Sequence, residues 1–124
     1  MPAHRHLLLV VDDDPGSREA LTALLATEGF EVATATDGRD ALHQLGNGAA
    51  PCVILLDINM PGMDGRAFRR VQAADSQVGD VPVIALSGDP HIQDEVRQLC
   101  VRDYLVKPVD PDKLLGLIAL HCAH

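Results

Sequence analysis

Three short apolar runs, Leu7–Val11, Cys52–Leu56 and Val83–Leu86, constrain this chain more than any other feature. Runs this brief and this continuous read as strands buried on both faces. Two more segments complete the set: Phe30–Ala35, which alternates, and Tyr104–Val106. Each strand is followed by a stretch too long for a hairpin, most with helical spacing. The reading is therefore an α/β fold, a five-stranded parallel sheet with helices on both faces.

The helical stretches carry their own punctuation. Asp14 is placed to cap the first helix, Pro15 occupies its first turn, and Ala20, Leu21, Leu24 and Leu25 form its apolar stripe up to Gly29. Asp37-Gly38 opens a second helix with Ala41, Leu42 and Leu45 inward, broken by Gly46, Gly48 and Pro51. A third starts at Asp64 or Gly65 and carries Phe68 and Val71. A fourth spans residues 91–99, and a fifth comes after Pro111 with Leu114, Leu115, Ile118 and Leu120.

The polar residues at the strand ends are more telling than the strands themselves. Strand one runs into Asp12, Asp13 and Asp14; strand three into Asp57; strand four into Ser87; strand five into Lys107. In parallel α/β sheets ligands gather at the carboxyl ends of the strands, near the switch point. Clustered carboxylates repel one another and cannot all stay ionised without a cation. Hard oxygen ligands suit Mg²⁺ better than a soft metal. The chemistry indicated is phosphate chemistry, with one carboxylate as nucleophile.

Composition narrows the field. At 124 residues the chain is a single domain, 1–124, with 47% apolar residues. No apolar run approaches the ~18 residues of a membrane span. The basic start, Met1 to His6, precedes only five apolar residues and is no secretory signal. A net charge of −8 speaks against nucleic acid or anionic lipid as a partner. Three cysteines without a CxxC pair suggest a reducing cytoplasm, with Cys52 as a small buried hydrophobe and Cys122 as a surface thiol. His121, Cys122 and His124 have metal-compatible spacing, but a chain end offers no rigid support for a site.

Four segments, in order and on the expected strands, carry a resemblance. They are Val10-Val11-Asp12-Asp13-Asp14-Pro15, the stretch from Leu55 to Gly65 around Asp57, Ala85-Leu86-Ser87-Gly88, and Asp103-Tyr104-Leu105-Val106-Lys107-Pro108. Together they resemble the receiver domain of bacterial two-component response regulators, chemotaxis regulators included. The resemblance implies a flavodoxin-like sheet in the order 2-1-3-4-5. It implies that Asp57 accepts a phosphoryl group from a histidine kinase or histidine phosphotransfer protein, and that the only intrinsic activities are self-phosphorylation and self-dephosphorylation. Asp13, Asp57 and the Asn59 carbonyl would ligate Mg²⁺, with Asp12 acting through a bound water. Lys107 and Ser87 would hold phosphate oxygens, and Ser87 with Tyr104 would form the switch. Asn59 and Asp89, both short and polar, would leave the phosphoryl group open to water and its lifetime brief. A downstream protein would bind the face formed by helix four, strand five and helix five.

Lys107-Pro108 resembles the family's cis peptide, which costs little before proline. Between Ser87 and Lys107 the chain is about two residues shorter than many relatives, and Cys100 stands where a glycine is common, so helix four is expected to end irregularly. Val109 after Pro108, in place of phenylalanine, favours a receiver from a hybrid kinase over a stand-alone regulator. Two other functions compete. Asp12-x-Asp14 resembles the nucleophile motif of haloacid-dehalogenase-type phosphohydrolases, but that leaves Asp57 unexplained. A degenerate receiver that only binds a partner would usually have lost an acid or the lysine.

Overall fold

The computed structural model describes residues 7–48, 51–58, 65–74, 79–88, 101 and 103–122. Its strands are β1 (Leu7–Val11), β2 (Glu31–Ala35), β3 (Val53–Asp57), β4 (Val83–Ser87) and β5 (Asp103–Val106). They form one sheet in the order β2-β1-β3-β4-β5, every pairing parallel. The helices are α1 (Pro15–Thr27), α2 (Gly38–Gly46), α3 (Gly65–Ala74) and a C-terminal helix, Pro111–Cys122. The expected fourth helix lies outside the described residues.

The pleat sorts side chains between two cores. Leu9, Val11, Ile54, Leu56, Val83 and Ala85 face α2 and α3, meeting Ala41, Leu45 and Phe68. Leu8, Val10, Val53, Leu55, Ile84 and Leu86 face the other way, onto Leu21 and Leu25 of α1 and Leu114 and Ile118 of the C-terminal helix. β3 and β4 are buried at every position, which is why they are apolar without alternation.

Helix ends obey the sequence signals. The Asp14 carboxylate accepts from the Ser17 N–H at 3.0 Å, with Pro15 in the first turn. Asp37 caps α2 through the Asp40 N–H. After α1, Gly29 takes φ 91°, and its N–H donates to Ala26 O. That left-handed residue turns the chain directly into β2.

Two of the apolar residues noted on the helices, Val71 and Leu120, are exposed. Val71 of α3 gives way to Gln72, whose amide donates to Val81 O and accepts from Arg69. A satisfied polar group is buried there, and the valine stays outside. Leu120 lies two residues past Ile118, on the far side of the C-terminal helix from Leu114, Ile118 and Cys122.

The cysteine reading needs correction. Cys52, expected as a buried hydrophobe, and Cys122, expected as a free surface thiol, are joined by a disulfide. Their Cα atoms are 5.6 Å apart across a sequence separation of 70. Parallel topology is responsible: the start of β3 and the end of the C-terminal helix meet at the amino end of the sheet. In the chain-entropy view, closing a loop of that length stabilises the fold by about 4 kcal/mol. With Cys122 bonded and His121 Nε2 at 3.1 Å from Asp103 Oδ2, neither is set aside for the metal spacing noted in the sequence. His124 lies outside the described residues.

Candidate functional site

Register decides which polar residues meet. Val11 pairs with Leu56, Asp57 with Leu86, and Ser87 with Val106. Asp12, Asp57, Ser87 and Lys107 therefore emerge side by side from four adjacent strands. Backbone hydrogen bonds continue the ladder into the loops. Asp12 N–H donates to Ala35 O at 3.1 Å, Ile58 N–H to Leu86 O at 3.2 Å, and Lys107 N–H to Ser87 O at 2.7 Å. The Lys107–Pro108 peptide is cis, as the resemblance implied.

Lys107 bridges the two buried acids. Its Nζ lies 3.3 Å from Asp12 Oδ2 and 3.3 Å from Asp57 Oδ2. Asp12 is fully buried and Asp57 is 6% exposed. Asp13 is exposed at the rim, yet one oxygen from each of Asp12, Asp13 and Asp57 falls within 4.8 Å of the others. Three anionic oxygens at that spacing are a hard-ligand set of the kind Mg²⁺ takes.

The Asp12 carboxylate is held by more than the lysine. Oδ1 accepts from the Asp14 N–H at 3.0 Å, and Oδ2 accepts from the Ser17 hydroxyl at 2.8 Å. Arg18 donates to the Asp12 carbonyl at 2.7 Å. Burial is the largest influence on this carboxyl and pushes its pKa up. The Asp14 N–H, the Ser17 hydroxyl and the Lys107 charge together outweigh burial and hold it below the ordinary value. Lys107 is the mirror case. Burial again acts most strongly, downward, but Asp57 and Asp12 raise its pKa overall.

Sequence reading did not single out Ser17 and Arg18. Both sit in the first turns of α1, where polar residues ordinarily mean a solvated surface. The available signal was the tight Asp14-Pro15 start, which folds the first turn back over the end of β1. Ser87 is where the sequence placed it, buried at the end of β4. Tyr104 is half-buried and packs beside the α2/α3 core. Asn59 and Asp89 lie outside the described residues.

Beside the acids runs an apolar groove of about 380 Å³. Ala20, Leu21 and Leu24 of α1 form one wall, Pro108, Val109 and Pro111 the other, and Ser17 and Lys107 close its inner end.

Known proteins share both the sequence pattern and the fold. The sequence profile described as the response regulator receiver domain matches residues 8–119. The chain is 38% identical over 120 residues to the DNA-binding response regulator MtrA of Mycolicibacterium smegmatis, covering 95% of this chain but 51% of MtrA. It is 37% identical over 113 residues to PilH of Pseudomonas aeruginosa, covering 90% of this chain and 93% of PilH. Among solved structures it resembles the receiver domain of the sensor histidine kinase PA1611 from P. aeruginosa, which has a magnesium ion in its active-site cleft. That match has a TM-score of 0.88, 25% identity, and coverage of 98% of this chain and 100% of that one.

Replacing Lys107 with methionine should raise the Asp12 titration midpoint, because two of the influences holding it down disappear. Carboxyl ¹³C NMR across an acid titration would measure this; an unmoved midpoint would mean Lys107 does not set the electrostatics of the site. The low folded pKa fixes the sign for stability. Asp12 contributes stability above the unfolded carboxylate value, and that contribution is lost as pH falls through the folded one.

Proposed function

This chain belongs to the response regulator receiver family, and on that premise we propose that Asp57 is its phosphoryl acceptor, charged by a histidine kinase or histidine phosphotransfer protein. Receiver domains of two-component systems are signalling modules, and the chain carries the parts that phosphoryl transfer needs. The observation that carries the assignment is the Lys107 bridge between Asp12 and Asp57 at 3.3 Å to each. Among the described acids, Asp57 alone is both at the end of a central strand and paired with the lysine while open to the cleft.

In the proposed reaction an Asp57 carboxylate oxygen attacks phosphorus in line. The phosphorus–nitrogen bond of the donor breaks, and the departing imidazole takes up a proton. Phosphoryl transfer is mainly positioning and charge neutralisation. Lys107 tracks the new charge, leaving Asp12 for a phosphoryl oxygen. Ser17 and the Asp14 N–H keep the Asp12 carboxylate satisfied when the lysine departs. Ser87, buried at the neighbouring strand end, supplies a hydroxyl to another phosphoryl oxygen, and Tyr104 turns inward as that loop moves.

The three carboxylates fit a hard divalent cation; Asp13, Asp57 and the Asn59 carbonyl would be its direct ligands and Asp12 would act through a bound water, as the family resemblance implies. Mg²⁺ bound there would supply the positive charge that lets the acids stay ionised beside a phosphoryl group. Asn59 and Asp89 are the residues we assign to the lifetime of the phosphorylated state. We assign the exchange to the cytoplasm, as the family resemblance implies. No helix among the described residues is long and apolar enough to cross a membrane.

The phosphohydrolase alternative is weaker for a structural reason. Its motif needs Asp14 in the site, whereas the exposed Asp14 carboxylate caps α1 through Ser17 N–H. A degenerate receiver is equally disfavoured, since Asp12, Asp13, Asp57 and Lys107 are all in place.

With acetyl phosphate and Mg²⁺ the chain should take up one phosphoryl group, and Asp57→Asn should take up none. Intact-mass measurement reads this; labelling of the variant at the wild-type rate would reject Asp57 as acceptor. The groove beside Lys107 is the surface we assign to the protein donor, because it is apolar and adjoins the lysine that bridges Asp12 and Asp57. Leu24→Glu should slow transfer from a phosphohistidine protein roughly tenfold, as loss of an apolar anchor does, while leaving labelling by acetyl phosphate unchanged. Equal slowing with both donors would show that the groove does not select the protein donor.

A further inference from the structure

The disulfide closes a frame around the acceptor. Cys52 immediately precedes β3, and Asp57 is the last residue of β3. Lys107 lies just before the C-terminal helix, and Cys122 is its last residue. The segments 52–57 and 107–122 are thus joined at one end by the Lys107–Asp57 ion pair and at the other by the Cys52–Cys122 bond. Between these ties the helix is held by packing, with Leu114 and Ile118 against Val53 and Leu55. His121 adds a contact to Asp103 of β5 near the bonded end.

We propose that Cys52 and Cys122 form a reversible disulfide that restrains the C-terminal helix against β3 and so lets the redox state of the cell limit how far that helix responds when Asp57 is phosphorylated. This rests on the acceptor reading above. Disulfides in reducing compartments are usually transient and redox-sensing. The chemistry is thiol–disulfide exchange with a low-molecular-weight disulfide. Cys52, half-buried, is the sulfur the oxidant meets; Cys122 is only 4% exposed. The Cys52 thiolate attacks the oxidant and expels one small thiolate. The Cys122 thiolate then attacks the Cys52 sulfur of the mixed disulfide and expels the second. Two protein thiols are oxidised, and one small disulfide is reduced to two thiols.

The lysine at the opposite end is the group whose contacts phosphorylation remakes on this reading, exchanging Asp12 for a phosphoryl oxygen on Asp57. In the oxidised chain the helix can move only about a fixed far end. In the reduced chain it is free to slide or tilt against β3, limited by apolar packing.

The test uses the full chain in a Cys100→Ser background, so that no third thiol enters the exchange. Incubation with oxidised glutathione should bury both remaining thiols in the intramolecular bond, and dithiothreitol should return them. Two thiols still free after oxidation would overturn the proposal. Hydrogen exchange of the C-terminal helix is then measured with and without beryllofluoride. The beryllofluoride-induced change should be at least about twofold larger in the reduced chain than in the oxidised one, and Cys52→Ser should respond like the reduced chain under both conditions. Equal changes in the two redox states would overturn the restraint. If neither form answered beryllofluoride, the acceptor reading would fail separately. The tie would then be judged on the helix alone: slower exchange in the oxidised chain upholds it, and equal exchange rejects it.

Discussion

One cation shared between two buried carboxylates is the interaction on which this site depends. Lys107 lies 3.3 Å from both Asp12 and Asp57, and without it the carboxyl edge of the sheet would hold three acids in mutual repulsion. The same contact makes the arrangement poised. A lysine divided between two anions is held by charge, and a new, more concentrated negative charge on Asp57 would redirect it. Asp12 would keep two partners after that loss, the Ser17 hydroxyl and the Asp14 N–H.

The sheet exists in the form it does to deliver those groups. Its central strands are buried on both faces by α1 and the C-terminal helix on one side and α2 and α3 on the other. Fully buried strands leave polar residues only their ends, and the parallel register aligns those ends in one row. The C-terminal helix runs back from the lysine to the start of β3, where the cysteines close the frame. The positioning of Lys107 is therefore coupled to a helix whose far end is covalently tied.

Much of this was legible in the sequence, for a specific reason. Continuous apolar strands and the polar residues after them are local signals, so Asp12, Asp13, Asp57, Ser87 and Lys107 could be assigned to one edge from the sequence alone. The Asp14 cap and the Gly29 stop were legible on the same grounds. Long-range pairs were not. Cys52 and Cys122 are 70 residues apart, and without a spacing motif only the topology shows that they meet. Ser17 was hidden because a hydroxyl in the first turn of a helix looks like surface until that turn folds over Asp12. Val71 and Leu120 show the converse limit: apolar character near a helix face did not bury them, because Gln72 found partners and Leu120 sits on the far side.

The most direct test of the central interaction is the position of Lys107 Nζ in a crystal structure of the beryllofluoride adduct with Mg²⁺. The lysine should have left Asp12 and lie within about 3 Å of a fluorine on Asp57, the range of a charge-assisted hydrogen bond, while Ser17 and the Asp14 N–H still hold Asp12. A lysine that still bridged Asp12 and Asp57, with the fluorines contacted by other groups, would contradict the proposal that this ion pair is the contact phosphorylation remakes.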